Sequence, residues 1–326
     1  MAELTMVGAI NTALARALTD DPSVLVLGED VGTDGGVFRA TEGLKPRFGA
    51  TRVIDTPLAE GGIAGLAVGL ATQGFRPVAE IQFSGFIHSC LDQMANHASR
   101  LRNRTRGRLS CPMVLRAPNG GGIHAPEHHS DSVESLFLNI PGLRVVVPSS
   151  PARAYGLLLA AIRDPDPVVF LEPTRLYRAG REEVADDGVA LPLDTSFVVR
   201  EGADVTLVGW GGTVTDALAA ADALAAEGVG AEVIDAASLK PLGIEAILAS
   251  VAKTGRCVIV HEAPLTGGPG AEIAARLADE GLMSLLAPVR RVTGWDTVMP
   301  LPRLEAAYLP SPSRVAAACR RILEYS

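Results

Sequence analysis

The alternation of two kinds of segment along the chain constrains its fold more than any other feature of the sequence. Short runs of β-branched residues, bounded by glycine or proline, are separated by alanine- and leucine-rich stretches of helical length. Near-continuous apolar strands separated by helices predict parallel sheets covered on both faces, and therefore an α/β protein. The predicted strands are Val24–Leu27, Arg52–Ile54, Val78–Ile81, Met113–Arg116, Arg144–Val147, Val168–Leu171, Val205–Val208, Ala231–Ile234, Cys257–Val260 and Val289–Val292.

The alternation breaks once, in the charged and proline-containing segment between Arg178 and Thr195. A chain of 326 residues, of which 48% are hydrophobic, is long enough for two domains of ordinary size. We therefore predict a larger domain over residues 1–175, a linker over residues 176–194 and a smaller domain over residues 195–326. Each domain is predicted to be doubly wound around a mainly parallel sheet.

Composition argues against several classes of function. The net charge of −8 has the wrong sign for general binding to nucleic acid or anionic membranes, despite a run of alternating arginines between Arg100 and Arg108. The four cysteines are scattered without a CxxC pair, which predicts neither a disulfide framework nor a zinc site. The N-terminus shows no signal-peptide pattern, and no apolar run approaches the ~18 residues that cross a bilayer. We expect a cytoplasmic protein that binds neither nucleic acid nor membrane.

Ligands of an open parallel sheet bind beyond the carboxyl ends of its strands. One loop at such an end leads into the sequence DTPLAEGGIAGLAVGLA, residues 55–71. We predict that Thr56 caps a helix whose first residue is Pro57, with Glu60 in the first turn. Glu60 either complements the helix dipole or is a catalytic carboxylate at the buried end of the helix. Four glycines in this helix cost about 1 kcal/mol each relative to alanine, which indicates that another backbone approaches closely.

A second loop carries RAPNGGGIHAPEHHSDS, residues 116–132, which contains three of the six histidines of the chain: His124, His128 and His129. Histidine changes its charge near neutral pH and can therefore both give and take protons during one turnover. A transition-metal site that includes neighbouring carboxylates is the competing interpretation. Pro126 weighs against it, because it breaks the helical spacing between the histidines, and no cysteine lies nearby.

A third segment, EIQFSGF over residues 80–86, ends a predicted strand. Phe83 and Phe86 are core residues in the simplest interpretation, but in a chain with 4% aromatic residues a ring here also suits stacking on a flat heterocycle. The sequence contains no P-loop, no GxGxxG that opens a helix after a strand and no GxSxG elbow. These residues alone indicate a two-domain α/β enzyme with a glutamate and a histidine near a strand-end cleft.

The same segments resemble the β chain of 2-oxo acid dehydrogenases, in order and over nearly the whole chain. The nine matching segments are LGEDV, GGVFRATEGL, DTPLAEGGIAG, RPVAEIQF, RAPNGGGIHAPEHHS, GLRVVVPSSP, DPVVFLEP, HEAPLTGG and GWDT. The resemblance implies a transketolase-like fold, with a pyrimidine-binding domain followed by a C-terminal transketolase domain. It also implies dependence on thiamine diphosphate.

The resemblance assigns roles to individual positions. Glu60 matches the glutamate that hydrogen-bonds the aminopyrimidine ring of the cofactor. Phe86 matches the aromatic residue that packs on this ring, and Gln82 and Leu58 are further cofactor-binding positions. In such enzymes the cofactor performs the carbanion chemistry, while the protein supplies orientation and electrostatics. We expect the carboxyl group of Glu60 to lie away from water, where burial favours its protonated form.

Two histidines and a partner subunit follow from the same resemblance. His129 matches a histidine implicated in handling intermediates and in transferring the acyl group to lipoamide, and His124 is similar to a second active-site histidine of this loop. The family motif GDG…N, which binds Mg²⁺ and the diphosphate, does not occur here. The resemblance therefore implies an α subunit that supplies those ligands. The implied assembly is a heterotetramer of two α and two β chains, docked on a lipoyl-bearing dihydrolipoamide acyltransferase core.

Family β chains also hold a structural potassium ion, largely through backbone carbonyl oxygens. The matching positions are Met113, Ala161, Asp164 and Asp166. An ordinary turn over residues 164–167, with its alternating aspartates and prolines, is the competing interpretation of the last two.

The substrate is less constrained than the reaction. The segments GGVFRATEGL and HEAPLTGG look more like the branched-chain enzymes, so we expect a branched-chain 2-oxo acid first, pyruvate second and acetoin third. A methylene or two changes selectivity by only about 1–3 kcal/mol. Rival interpretations are a self-sufficient thiamine enzyme, which needs the diphosphate motif in the same chain, and a non-catalytic scaffold subunit of the same fold.

Overall fold

The computed structural model describes residues 1–325, and Ser326, the last residue of the predicted second domain, lies outside this range. The strands are β1 (Ala2–Leu4), β2 (Val24–Gly28), β3 (Val53–Asp55), β4 (Arg76–Glu80), β5 (Val114–Asn119), β6 (Arg144–Val146), β7 (Val168–Pro173), β8 (Glu182–Val184), β9 (Phe197–Arg200), β10 (Val205–Gly209), β11 (Ala231–Asp235), β12 (Ser238–Lys240), β13 (Cys257–Pro264) and β14 (Arg290–Gly294).

The α-helices are α1 (Met6–Asp20), α2 (Leu44–Phe48), α3 (Glu60–Thr72), α4 (Leu101–Arg104), α5 (Glu134–Leu138), α6 (Pro151–Arg163), α7 (Thr213–Ala225), α8 (Ile244–Thr254), α9 (Gly270–Glu280), α10 (Glu305–Tyr308) and α11 (Pro312–Leu323). Shorter 3₁₀ and π turns lie at Ser84–Cys90, Gln93–His97, Ala98–Arg100, Glu127–His129, Thr174–Leu176, Leu282–Ser284 and Pro302–Leu304.

A seven-stranded sheet organises the first half of the chain, with the strand order β12-β6-β7-β5-β4-β2-β3. Every neighbouring pair in it is parallel except β12 and β6. Strands β2, β5 and β7 are buried along their whole length, as a sheet covered on both faces requires. Helices α1 and α6 pack together on one face, and α3 with the turns that follow β4 covers the other.

A five-stranded sheet organises the second half, with the order β14-β13-β10-β11-β9 and only the edge strand β9 antiparallel. Helices α7 and α11 cover one face with a core of their own. The core on the other face includes Ile247 and Ile259 and is continuous with that of the first half around Ile63 and Met94. The two sheets therefore share one hydrophobic interior.

Two short pairings join the halves of the chain. The predicted linker, residues 176–194, contains strand β8, which pairs with the N-terminal strand β1 in a separate antiparallel sheet. Strand β12, although it follows β11 in the second half, extends the first sheet beside β6. Neither pairing was predicted from the sequence, because three-residue strands are too short to show an alternating pattern.

The ten predicted strands each overlap a strand of the two large sheets, and the predicted α/β fold with mainly parallel sheets is confirmed. Within residues 1–325, no helix combines the length and the apolar character that a membrane crossing requires.

Candidate active site

Four loops gather at the carboxyl edge of the first sheet. Strands β5, β4, β2 and β3 are consecutive neighbours in that sheet and run parallel. The loop after β2 carries Glu29, the loop after β3 leads to Glu60, the loop after β4 carries Phe86, and the loop after β5 carries His129. The predicted site residues therefore lie at one edge, where ligands of open parallel sheets bind.

Helix α3 begins later than the sequence predicted. Its first residue is Glu60, its N-cap is Ala59, and no side chain caps it, so the prediction of a Thr56 cap with Pro57 as first residue was wrong. The hydroxyl of Thr56 is buried without a hydrogen-bond partner in the described chain. Glu60 itself is half-buried and the side chain of Leu58 is 79% exposed, so in the single chain this carboxyl group is not yet removed from water.

A second carboxylate faces Glu60. Glu29 is only 4% exposed, and burial, together with the negative charge of Glu60, raises its pKa above the ordinary value for glutamate. A neighbouring negative charge makes ionisation of a carboxyl group less favourable. The sequence had marked the loop of Glu29 as a strand-end loop, but only the structure shows which carboxylate it faces.

Helix α3 packs closely on the 3₁₀ helix Ser84–Cys90. The thiol of Cys90 donates a hydrogen bond to the carbonyl oxygen of Glu60 (3.3 Å), and a Cβ at Gly61 would lie 2.9 Å from the carbonyl oxygen of Ser89. The backbone contact that the glycines indicated is therefore made within this chain at Gly61. In contrast, a Cβ at Gly69 would meet nothing within 4 Å.

An aromatic cluster connects this helix to the histidine loop. The ring of His129 lies 3.9 Å from that of Phe83 and 5.5 Å from that of Phe86, centroid to centroid, and 4.1 Å from that of His128. A Cβ at Gly85 would overlap the carbonyl of His128, so only glycine allows the loop to approach. Phe83, to which the resemblance gave no role, thus lies closer to His129 than Phe86 does.

The environment of His129 favours its neutral form. Burial lowers its pKa below the ordinary value for histidine, and the neighbouring His128 adds to the effect. Its Nδ1 atom is buried without a hydrogen-bond partner among the described residues. A neutral imidazole with an unused ring nitrogen can accept a proton.

His124 lies apart from this cluster. Its side chain is 70% exposed, and its Nδ1 atom lies 2.8 Å from a carboxylate oxygen of Glu305 in the second half of the chain. Gln82 is half-buried and lies two residues after the end of β4. Glu60, Phe86 and His129 therefore lie on elements that contact one another. His124 lies apart from them, beside Glu305 of the second half of the chain.

The positions matched to potassium have protein partners. The carbonyl oxygen of Met113 accepts from the Val168 amide (2.9 Å), and that of Asp164 accepts from the Arg76 guanidinium (3.1 Å). Ala161 lies buried in α6. The carboxylate of Asp166 pairs with an arginine at 2.8 Å. Within residues 1–325, no group of three or more His, Cys, Asp or Glu side chains is placed to hold a metal ion, so the transition-metal interpretation of the histidine loop gains no support.

The fold and this edge define a transketolase-like protein. Residues 2–180 match the family described as "Transketolase, pyrimidine binding domain", and residues 195–315 match "Transketolase, C-terminal domain". A solved structure described as "Split gene transketolase, inactive beta4 tetramer" superposes with a TM-score of 0.80 at 26% identity, over 99% of each chain.

Curated relatives narrow this class. The chain is 49% identical over 325 residues, 100% of both chains, to "Pyruvate dehydrogenase E1 component subunit beta" of Bacillus subtilis (strain 168). It is 48% identical over 322 residues, 99% of this chain and 98% of the relative, to the protein of the same name from Acholeplasma laidlawii. The chain therefore belongs to the E1 β subunits of 2-oxo acid dehydrogenases.

Proposed function

We propose that the chain, together with an α subunit, catalyses the thiamine-diphosphate-dependent oxidative decarboxylation of pyruvate and the reductive acetylation of lipoamide. The observation that carries this proposal is the meeting of Glu60, Phe86 and His129 at one sheet edge. The names of the relatives favour pyruvate, the second expectation from the sequence, over the branched-chain acids that the sequence analysis put first.

The side chains at this edge fit one half of the cofactor. A carboxylate at the start of α3 and a half-buried ring in Ser84–Cys90 suit the amino and ring faces of the pyrimidine. The GDG…N motif that binds Mg²⁺ and the diphosphate in such enzymes does not occur in this sequence, so both call for ligands from elsewhere. We assign those ligands to the α subunit. Because this chain would form only one side of the cofactor site, Glu60 remains half-exposed in the single chain. The α subunit would cover the other side.

Each residue of the edge then has a defined task. Thiamine diphosphate, when bound, supplies the carbanion chemistry and takes up the electrons of the decarboxylation. Glu60 holds the aminopyrimidine by a hydrogen bond, and its negative charge adds to the effect of burial in raising the pKa of the neighbouring Glu29. Phe86, with Leu58 and Gln82 beside it, packs on the ring. His129, neutral near pH 7, accepts and returns a proton during acyl transfer.

The proposal extends to the assembly. The chain works in a heterotetramer of two α and two β subunits on a lipoyl-bearing dihydrolipoamide acyltransferase core, in the cytoplasm, where its four buried free cysteines stay reduced. A potassium ion held by the carbonyl oxygens of Met113, Ala161, Asp164 and Asp166 belongs to the same proposal. A carbonyl oxygen has two lone pairs, so the hydrogen bonds at Met113 and Asp164 leave room for an ion.

The test is to co-express the chain with a candidate α subunit and to measure ferricyanide reduction with thiamine diphosphate, Mg²⁺ and each 2-oxo acid in turn. We expect turnover only in the mixture, fastest with pyruvate. Fastest turnover with 2-oxoisovalerate-type acids would keep the reaction and return the substrate to the branched-chain class. A stable complex without turnover of any acid would contradict the proposal and favour the scaffold interpretation.

A further inference from the structure

The three consecutive glycines of the histidine loop are not explained by the proposed function. A Cβ at Gly120 would overlap the carboxylate of Glu262, and a Cβ at Gly121 would lie 3.2 Å from Glu305 and closer still to the side chain of Met299. All three contacts come from the C-terminal domain. Gly120 and Gly121 therefore let the loop lie against that domain, whereas a Cβ at Gly122 would meet Arg175.

Glu305, the first residue of α10, is only 2% exposed and makes three contacts with this loop. It accepts hydrogen bonds from the backbone amides of Gly122 (2.7 Å) and His124 (3.1 Å), and its Oε2 atom lies 2.8 Å from Nδ1 of His124. The backbone of His124 is left-handed, with φ of 56°, a conformation that needs such support in a residue with a side chain. Bonds from amides to a carboxylate are stronger than those between neutral groups.

A second carboxylate of the same domain supports the loop. Glu262 accepts a hydrogen bond from the amide of Gly121 (3.0 Å) and pairs with Arg175 at 2.9 Å. Arg175 also binds Asp216 at 2.6 Å, which ties this contact to the start of α7. Consecutive stretches of the loop are thus bonded to two buried carboxylates that do not belong to the domain of the site.

We propose that Glu305 is a positioning residue for the histidine loop, so that the C-terminal domain sets where His128 and His129 stand at the site edge. His129 lies only five positions after His124 in the chain. Pro126 and the turn Glu127–His129 connect the two and transmit a shift at His124 to the rings. The inference has a structural part, that Glu305 holds the loop in place, and a kinetic part, that this affects turnover. Only the kinetic part rests on the proposed function.

The structural part is tested by hydrogen exchange of the peptide covering residues 119–131 in the full chain. Glu305→Gln keeps the volume and one acceptor, and Glu305→Ala removes both. Glu227→Gln is the matched control, because this exposed glutamate of the same domain accepts its hydrogen bonds from Arg320 of α11. We expect about tenfold faster exchange in Glu305→Ala, a smaller increase in Glu305→Gln and none in the control. Equal exchange in Glu305→Ala and the control would overturn the inference.

The kinetic part uses the complex with the α subunit. We expect kcat to fall about tenfold in Glu305→Ala while KM for the 2-oxo acid changes less than about twofold, since a displaced group slows the step it serves. His124→Ala should lower kcat much less, because the two backbone amides stay bound. Faster exchange with unchanged kcat would show that the loop position does not matter for turnover and would overturn the inference. A wild-type complex inactive on every acid would contradict the proposed function, while the exchange result would still decide the anchoring.

Discussion

The two large sheets share one parallel architecture, yet their carboxyl edges differ. At the first edge Glu60 is half-buried and Leu58 is largely exposed, so the edge is open. At the second edge Trp210 and His261 are buried and stacked, with ring centroids 5.2 Å apart and an interplanar angle of 13°. Glu134 of the first domain closes over them and accepts a hydrogen bond from the Trp210 indole (3.1 Å). A neighbouring domain therefore fills one strand-end edge and leaves the other open to solvent.

The filled edge of the second sheet still contributes a contact to the open edge of the first sheet. Glu262 lies near the end of β13, at the closed edge, and binds the histidine loop of the open edge through Gly121. Burial raises the pKa of Glu262, and the positive charge of Arg175 opposes that effect. The strand ends of the second domain thus bind a loop of the first domain, whereas those of the first domain are the ones that we propose present side chains to a ligand.

The largest expected effect is at the open edge. Glu60→Gln keeps the side-chain volume but removes the acid that the pyrimidine needs, so kcat of the complex should fall by about 10³-fold. Ferricyanide reduction with saturating thiamine diphosphate measures it. The exposed Glu183→Gln is the control and should leave kcat unchanged. If Glu60→Gln keeps activity within a few-fold of the wild type, the open edge of the first sheet is not the active site.

At the closed edge we expect an effect of pH on the free energy of unfolding and no effect of a ligand. Burial lowers the pKa of His261 to about 4, below the value of 6.5 for an exposed histidine. Unfolding therefore takes up a proton below pH 6.5, and the stability that neutral His261 contributes is complete above that pH and lost as the pH falls towards 4. The loss is on the order of 3 kcal/mol.

Urea unfolding at several pH values between 7.5 and 4.5 measures this effect. The free energy of unfolding of His261→Gln should fall less over that range than that of the wild type, because glutamine does not titrate. Parallel curves for the two proteins would mean that protonation of His261 does not oppose folding, and the contrast between the edges would then rest on packing alone.

The fold was predictable because each long strand carries its own apolar run. The gathering of Glu60, Phe86 and His129 was also predictable, since parallel strands bring their carboxyl ends to one edge and each residue follows a predicted strand. The role of Glu305 was not predictable, because it lies 181 residues from His124 along the chain and no local pattern couples the two. The start of α3 was misplaced because the Thr-Pro signal describes a frequent helix start, while here the helix begins where Gly61 meets the Ser84–Cys90 helix.

A smaller effect is expected where the open edge meets the histidine loop. In Gly85→Ala the new methyl group overlaps the carbonyl of His128, so the loop must move and kcat should fall about tenfold. Gly180→Ala is the matched control, because its Cβ meets nothing within 4 Å and its backbone is not left-handed. The ratio of the two kcat values measures how much the contact between Gly85 and His128 affects turnover. A ratio near one would mean that the position of the histidine loop does not affect turnover.

The smallest effect concerns the outer face of α3. Gly69→Ala adds a methyl group in open space on a helix, so the free energy of unfolding of the chain alone should rise by up to about 1 kcal/mol. Gly61→Ala is its counterpart and should lower stability, because its methyl group crowds the carbonyl oxygen of Ser89. If Gly62, Leu66 and Gly69 contact another subunit, Gly69→Ala should also weaken assembly, which titration of the α subunit would measure. If Gly69→Ala raises stability and leaves the affinity for the α subunit unchanged, the face formed by Gly62, Leu66 and Gly69 contacts no other subunit. The close backbone contact that the glycines predicted would then be the contact of Gly61 alone.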